Sequence, residues 1–101
     1  MVYQMKFQVG DYAEVITECA YNGSKALDWI KAQAIDSLAE TWDSCNYYPP
    51  RHTRGTIMKI APIVDGDGKL DIAVFFLSDE RRGYVMNPVR LKRLEVADDE
   101  F

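Results

Sequence analysis

The stretch "RRGYVMNPVRLKRL" (residues 81–94) holds an aromatic strand pattern, an Asn-Pro corner and an apolar-basic run within fourteen residues. "GYVM" has the composition of a short β-strand. Pro88 restricts the backbone of the corner, which suits a single helical turn. "RLKRL" alternates as a last short strand would. The segment therefore predicts a strand, a turn and a closing strand at the end of a small β-protein.

Three earlier strands are predicted from alternation and turn residues. "FQVGDYAEVITE" (residues 7–18) alternates after a Gly-Asp corner, as a half-buried strand does. "RGTIMKIAPI" and "LDIAVFFLS" flank the turn "VDGDGK" and predict a hairpin. The returning strand is apolar on both faces, with one face formed by Ile72, Val74 and Phe76 and the other by Ala73, Phe75 and Leu77. We therefore expect both faces to be covered.

Residues 24–43 predict one amphipathic helix, whose apolar stripe is the obvious cover for the second face of that strand. The stripe recurs at spacings of three and four residues and comprises Leu27, Ile30, Ala34, Leu38 and Trp42. The opposite, acidic face comprises Asp28, Asp36, Glu40 and Asp43. Trp29 projects onto this acidic face, near Asp36 and Glu40.

Length and composition predict one small domain, residues 1–101. The chain is 48% hydrophobic and 28% charged, as an ordinary globular protein is. No apolar run approaches the roughly 18 residues that span a bilayer, so a cytoplasmic protein is expected. Residues 1–50 carry a net charge of −4, residues 51–94 carry +4 and the last seven carry −4. A basic half between acidic flanks describes neither a purely basic nucleic-acid binder nor a purely acidic nucleic-acid mimic.

Few residues of this chain are histidine or cysteine, types that catalyse reactions or bind metal ions. His52 is the only histidine, and Cys19 and Cys45 have no metal-ligand spacing, which argues against a structural zinc site. Catalysis needs an activated nucleophile or a tuned acid-base pair, and the sequence offers little material for either. We therefore expect no catalytic residue, no metal and no cofactor, and two free thiols, with a Cys19–Cys45 disulfide as the alternative.

Four motifs resemble the Src-homology-3-like small barrels, including the Tudor-like and KOW-like kinds: "VGDYAEV", "RGTIMKI", "IAVFFLSD" and "RGYVMNPVRLKRL". The resemblance covers residues 7–18 and 53–95 and implies a mainly β protein, a five-stranded barrel with one helix. Residues 19–52 depart from it as a helical insertion, and residues 96–101 form an acidic tail. We expect the insertion to block or replace the usual ligand groove of such barrels.

The favoured functional hypothesis is a non-catalytic protein-binding module. An apolar anchor ringed by charges is typical of an interface hot spot. The candidate residues are Trp29, Asp36 and Glu40 on the helix, with Tyr47 and Tyr48 before two prolines as a second surface. In size and style the chain resembles the small accessory proteins with which bacteriophages and mobile elements bind and inhibit host defence, replication or transcription complexes.

Other hypotheses remain open. The first is a nucleic-acid-associated barrel, because arginine beside aromatic residues suits phosphate contact and base stacking and KOW-like relatives touch RNA. Its candidate residues are Arg81, Arg82, Arg90, Lys92 and Arg93. The second is an aromatic cage for a methylated cation, as in Tudor-like relatives, formed by Tyr12, Phe75 and Tyr84. A homodimer is expected if the second face of the apolar strand is left uncovered.

Overall fold

Five antiparallel strands and one helix make up the part of the chain that the computed structural model describes, which is residues 7–21, 23–35, 39–42, 48–64 and 67–94. In chain order the elements are β1 (Tyr12–Val15), α1 (Gly23–Ala32), β2 (Arg54–Val64), β3 (Leu70–Ser78), β4 (Gly83–Met86), a 3-10 turn (Pro88–Arg90) and β5 (Leu91–Arg93). The strands form one sheet in the order β4-β3-β2-β1-β5. The predicted class, mainly β with one helix, is confirmed, and the arrangement is compatible with a small Src-homology-3-like fold.

The β2–β3 hairpin is the longest strand pairing of the sheet. It pairs from Gly55↔Ser78 at its base to Val64↔Leu70 at its tip. A register shift between Ile57 and Lys59 marks a bulge, which bends a strand and increases its twist. A Cβ on Gly55 would collide with the carbonyl of Leu77, so only glycine allows this close pairing.

The sheet carries an apolar cluster on each face, as the two apolar sides of β3 predict. The first cluster is closed by β1, β4 and β5 and comprises Phe7, Ala13, Val15, Ile57, Val74, Phe76, Tyr84, Met86 and Leu91. The second lies under α1 and comprises Ala26, Trp29, Ile30, Ile63, Ala73, Phe75, Leu77 and Val85. The helix therefore covers the second face of β3, as expected. That face is accordingly not available for the homodimer considered above.

The helix is shorter than predicted. It ends at Ala32, and Ala34 has a φ of 55°, a left-handed conformation that no helix can continue through. Its buried residues are Ala26, Trp29 and Ile30, again spaced by three and four, but the stripe is rotated from the predicted one. The predicted stripe included Ala34, which lies beyond the end of the helix. Leu38 and Asp43, which were also placed on the predicted helix, lie outside the described residues. No helix within the described ranges is both long and apolar enough to span a membrane.

The insertion between β1 and β2 also covers the outer edge of β4. The Tyr21 amide donates to the Val85 carbonyl at 2.8 Å, and the Gly83 amide donates to the Thr41 carbonyl at 3.0 Å. A Cβ on Gly83 would meet both the Thr41 hydroxyl and the Phe75 ring. Backbone groups of an edge strand are otherwise a template for unwanted pairing, so this contact protects the sheet.

Candidate binding surface

The tip of the β2–β3 hairpin has one covered face and one open face. Side chains alternate along paired strands, so Ile63 points toward α1 while Val64 and its partner Leu70 point away from it. Ile63 is 5% exposed, whereas Val64 is 51% and Leu70 is 73% exposed. The hairpin extends beyond the elements that cover its base, which leaves apolar side chains in water.

The 3-10 turn continues this open face. Val89 is 64% exposed, and a cavity of about 440 Å³ lies between the turn and the hairpin. We call the open apolar surface the hairpin face, and it comprises Pro62, Val64, Leu70, Ile72 and Val89. Monomeric proteins rarely leave contiguous apolar surface open unless it contacts a partner or ligand.

A second cavity of about 210 Å³ adjoins the first. The two cavities share Asp71, Asn87 and Val89 and are therefore adjacent, and we call the two together the groove. The far wall of the second cavity is formed by Cys19, Ala20, Tyr21 and Arg90. Residues 19–21 begin the insertion, so the described start of the insertion lines this groove and leaves it open.

Asn87 organises the junction of the two cavities. Its Nδ2 donates to Asp71 Oδ2 at 3.0 Å and to the Tyr21 hydroxyl at 3.4 Å. Its Oδ1 accepts from the Val89 amide at 3.0 Å and thereby caps the 3-10 turn. Its extended backbone is what the following proline requires. One side chain thus links β3, the insertion and the turn, and it holds the groove in shape.

A polar cluster lies on the outward side of β1, away from this groove. Glu14 Oε2 accepts from His52 Nδ1 at 2.9 Å, and its Oε1 accepts from Arg54 Nε at 3.1 Å. The bond from His52, assisted by Arg54 and opposed by desolvation, lowers the pKa of Glu14 below its ordinary value of 4.5. His52 has a φ of 74°, and its amide donates to the Val15 carbonyl at 2.8 Å. The cluster therefore links the end of the insertion and the start of β2 to β1.

The aromatic-cage hypothesis is wrong in its geometry. Phe75 belongs to the cluster under α1, Tyr84 belongs to the cluster on the opposite face of the sheet, and both rings are buried. Tyr12 instead donates its hydroxyl to Asp79 Oδ2, and this hydrogen bond raises the pKa of the phenol. These three rings therefore do not converge on one site.

The predicted exposed anchor, Trp29, is buried. Its ring is 4% exposed within the cluster under α1, and its Nε1 donates to the Pro62 carbonyl at 3.1 Å. The prediction that Trp29 projects onto the acidic face is therefore wrong, and the residue fastens the helix to β2. Glu40 and Tyr48 are exposed, as partner contact would need. Asp36 and Tyr47 lie outside the described residues.

The basic residues of the nucleic-acid hypothesis occupy three places. Arg81 and Arg82 lie in the β3–β4 turn, Arg90 lines the groove, and Lys92 and Arg93 lie on β5. Two of these basic residues lie beside carboxylates. Arg93 Nη1 is 3.8 Å from Asp11 Oδ2, and Lys92 is the register partner of Glu14. Carboxylates therefore interrupt the basic surface on β5, which weakens attraction for phosphate.

Within the described ranges, no group of three or more potential metal ligands comes together. Cys19 is free and partly exposed in the wall of the groove. Cys45 lies outside those ranges, so the prediction of two free thiols stays a prediction.

Comparisons with protein-family models, with curated proteins and with solved structures return no match to this chain. The assignment of the candidate site therefore rests on the geometry of this chain alone.

The hairpin face was not predicted from the sequence, although one signal was present. Apolar residues continue to the turn on the same side of both strands, at Pro62 and Val64 and again at Leu70 and Ile72. Such a pattern indicates an apolar face at the tip itself.

Proposed function

We propose that this protein is a non-catalytic protein-binding module that binds its partner through the hairpin face and the adjoining groove. The observation that supports the proposal is the exposure of Val64, Leu70 and Val89, which is between 51% and 73%. Leu70 and Val89 line the same cavity, and Val64 is the register partner of Leu70. Burying one such side chain in an interface contributes roughly 1.5–3 kcal/mol of transfer free energy. Two or three of them form the apolar centre of a small interface.

The surface suits a protein partner because strand pairing and a capped turn hold its described residues in a defined geometry. Val64 and Leu70 are a register pair in a ladder that begins at Gly55, and Asn87 fixes the 3-10 turn beneath Val89. A surface held in one geometry loses little conformational entropy on binding. In this proposal the scaffold is the open five-stranded sheet, which is compatible with a small Src-homology-3-like fold, and the hairpin face is its contact surface.

In this proposal the module acts by occupying the surface of another protein. Inhibition of a host complex by a phage or mobile-element protein is one outcome of such occupation, and it stays a prediction, as does a cytoplasmic location. The predicted contacts at Glu40 and Tyr48 stay predictions too. Nucleic-acid binding through the basic residues is the alternative that the following experiment separates.

The test is selection from a display library of random peptides on the intact protein. The selected peptides are then measured against the double variant Val64→Ser/Leu70→Ser, with Val9→Ser as a matched control. Val9 is 61% exposed but lies before β1, and it is not among the residues of the hairpin face. We expect the double variant to lose about tenfold or more in affinity and the control to bind as the wild type does.

Two results would overturn the proposal. One is the absence of any enriched peptide. The other is a set of enriched peptides that bind the double variant as tightly as the wild type.

A further inference from the structure

Arg90 stands at a fixed position on the rim of the groove. Its amide donates to the Asn87 carbonyl at 3.0 Å, which closes the 3-10 turn. Its own carbonyl accepts from the amides of Ile16 at 2.9 Å and Thr17 at 3.3 Å. The backbone is therefore held from both sides, and Arg90 is one of the residues that line the second cavity.

The charge of Arg90 has no counterpart among the residues that the structure describes. The described ion pairs involve His52, Arg54 and Arg93. Asp71 lines the same cavity, but its carboxylate already accepts from Asn87 Nδ2 at 3.0 Å and from the Ile72 amide at 2.8 Å. The planar fork of arginine matches a carboxylate with two parallel hydrogen bonds. Among the described residues, Arg90 therefore has no ion pair and can bind an anion at the second cavity.

We propose that the groove binds a linear segment of a partner protein in which a carboxylate lies beside apolar side chains. The apolar side chains lie on the hairpin face, and the carboxylate pairs with Arg90. The inference rests on the proposed function and adds the chemistry of the partner.

The charges around the groove fix the direction of the segment. Asp71 lies at the junction of the two cavities and disfavours a carboxylate there. Arg90 lines the second cavity and not the first, so a carboxylate is favoured at the end of the groove away from the hairpin tip, next to the start of β5. The acidic residue of the partner therefore lies toward β5, and the apolar residues lie toward the hairpin tip.

A protein segment fits these observations better than a nucleic acid. Phosphate would also pair with Arg90, but it gains nothing from Val64, Leu70 and Val89. Carboxylates at Asp11, Glu14, Asp71 and Asp79 are also distributed among the basic residues. The combination of Arg90, which has no ion pair among the residues that the structure describes, with an open apolar face is selective for a segment that carries both kinds of side chain.

The experiment measures binding of three peptide pools to the intact protein by fluorescence anisotropy. The pools share the same apolar positions and differ only in one flanking position, which is Asp or Glu, Asn or Gln, or Lys or Arg. We expect the acidic pool to bind about tenfold more tightly than the amide pool, with a difference that shrinks as salt is added. Arg90→Gln should abolish the difference in affinity between the acidic and the amide pools, and Arg90→Lys should keep part of it.

The outcomes separate this inference from the proposed function. One outcome is that the amide pool binds, that this binding is lost in Val64→Ser/Leu70→Ser, and that the acidic pool binds no more tightly. That outcome contradicts only the role of Arg90 and leaves the proposed function standing. Binding of no pool, or binding that ignores the double variant, contradicts the proposed function as well. A single-stranded oligonucleotide that binds through Arg90 and ignores the double variant would replace both with the nucleic-acid alternative. Unfolding curves of each variant confirm that the comparison is made on folded protein.

Discussion

The base and the tip of the β2–β3 hairpin use the same alternation of apolar residues for different purposes. At the base, Phe75 and Phe76 point to opposite faces, and each is 0% exposed because a cluster covers it. At the tip, Ile63 is covered by α1, but Val64 and Leu70 are open. The apolar side of β3 that faces away from α1 continues from Phe76 through Val74 and Ile72 to Leu70, and only the covering elements differ along it. Apolar side chains at the tip are therefore not required by the fold.

The largest expected effect is on the free energy of unfolding, and it distinguishes the base of β3 from its tip. Phe75→Ala and Phe76→Ala should each lower the free energy of unfolding by about 3–5 kcal/mol, because each leaves a cavity in a filled cluster. Leu70→Ala, which removes a 73% exposed side chain from the same strand, should change it by no more than about 0.5 kcal/mol. Urea unfolding of the three variants gives these values. A cost of Leu70→Ala close to that of the phenylalanines would show that the tip is part of the core.

The second-largest expected effect is the loss of stability on removal of Trp29, the residue through which α1 packs against the sheet. Trp29→Ala should cost about 3 kcal/mol, because the ring is buried between α1 and β2 and donates a hydrogen bond to Pro62. Lys31→Ala, on the exposed side of the same helix, is the control and should change stability little. Thermal unfolding that left the Trp29 variant as stable as the wild type would restore the surface-anchor interpretation of this residue.

The sequence predicted what depends on local pattern and missed what depends on which surfaces are covered. Alternation in β3 predicted both apolar faces, and the Asn-Pro corner predicted the turn before β5. The helix was placed correctly at its start, but its end and its buried face were wrong because apolar spacing continues past Ala34, where the backbone leaves the helix. Trp29 was assigned to the outer side for that reason.

The candidate site could not be predicted in the same way, because its parts are distant in sequence. The groove brings residues 19–21 against Asp71 and against residues 87–90. The open face exists because the hairpin is longer than the elements that cover it, which is a property of the assembled sheet. Likewise, the contact between Glu14 and His52 spans 38 residues and leaves no periodic signal.

A smaller effect concerns the point where the insertion returns to β2. His52 has a φ of 74°, which costs a residue with a side chain about 1 kcal/mol relative to glycine. His52→Ala loses the bond to Glu14 and keeps this strain, whereas His52→Gly loses the bond and relieves the strain. The glycine variant should therefore be the more stable of the two by about 1 kcal/mol in urea unfolding. The reverse order would mean that the turn does not adopt this conformation.

The pH dependence of stability tests the same cluster. Because the pKa of Glu14 is lower in the folded protein than its ordinary value of 4.5, folding favours the ionised carboxylate. Its contribution is complete above that value and is lost as the pH falls through the folded-state pKa. The melting temperature of wild type should exceed that of Glu14→Gln at about pH 7, and the difference should shrink at about pH 3. A difference that stayed constant over this range would contradict the ionic contact.

The most direct test of the account compares two neighbours in one strand. Ile63→Ser and Val64→Ser change adjacent residues that differ in exposure, 5% against 51%. Both variants are measured for unfolding free energy and for affinity toward the peptides selected on the wild type. We expect Ile63→Ser to lower stability by about 2 kcal/mol or more and to bind normally while folded, whereas Val64→Ser should keep its stability and bind several-fold more weakly. Equal stability losses in the two variants, or unchanged binding by Val64→Ser, would contradict the assignment of one structural face and one binding face to this hairpin.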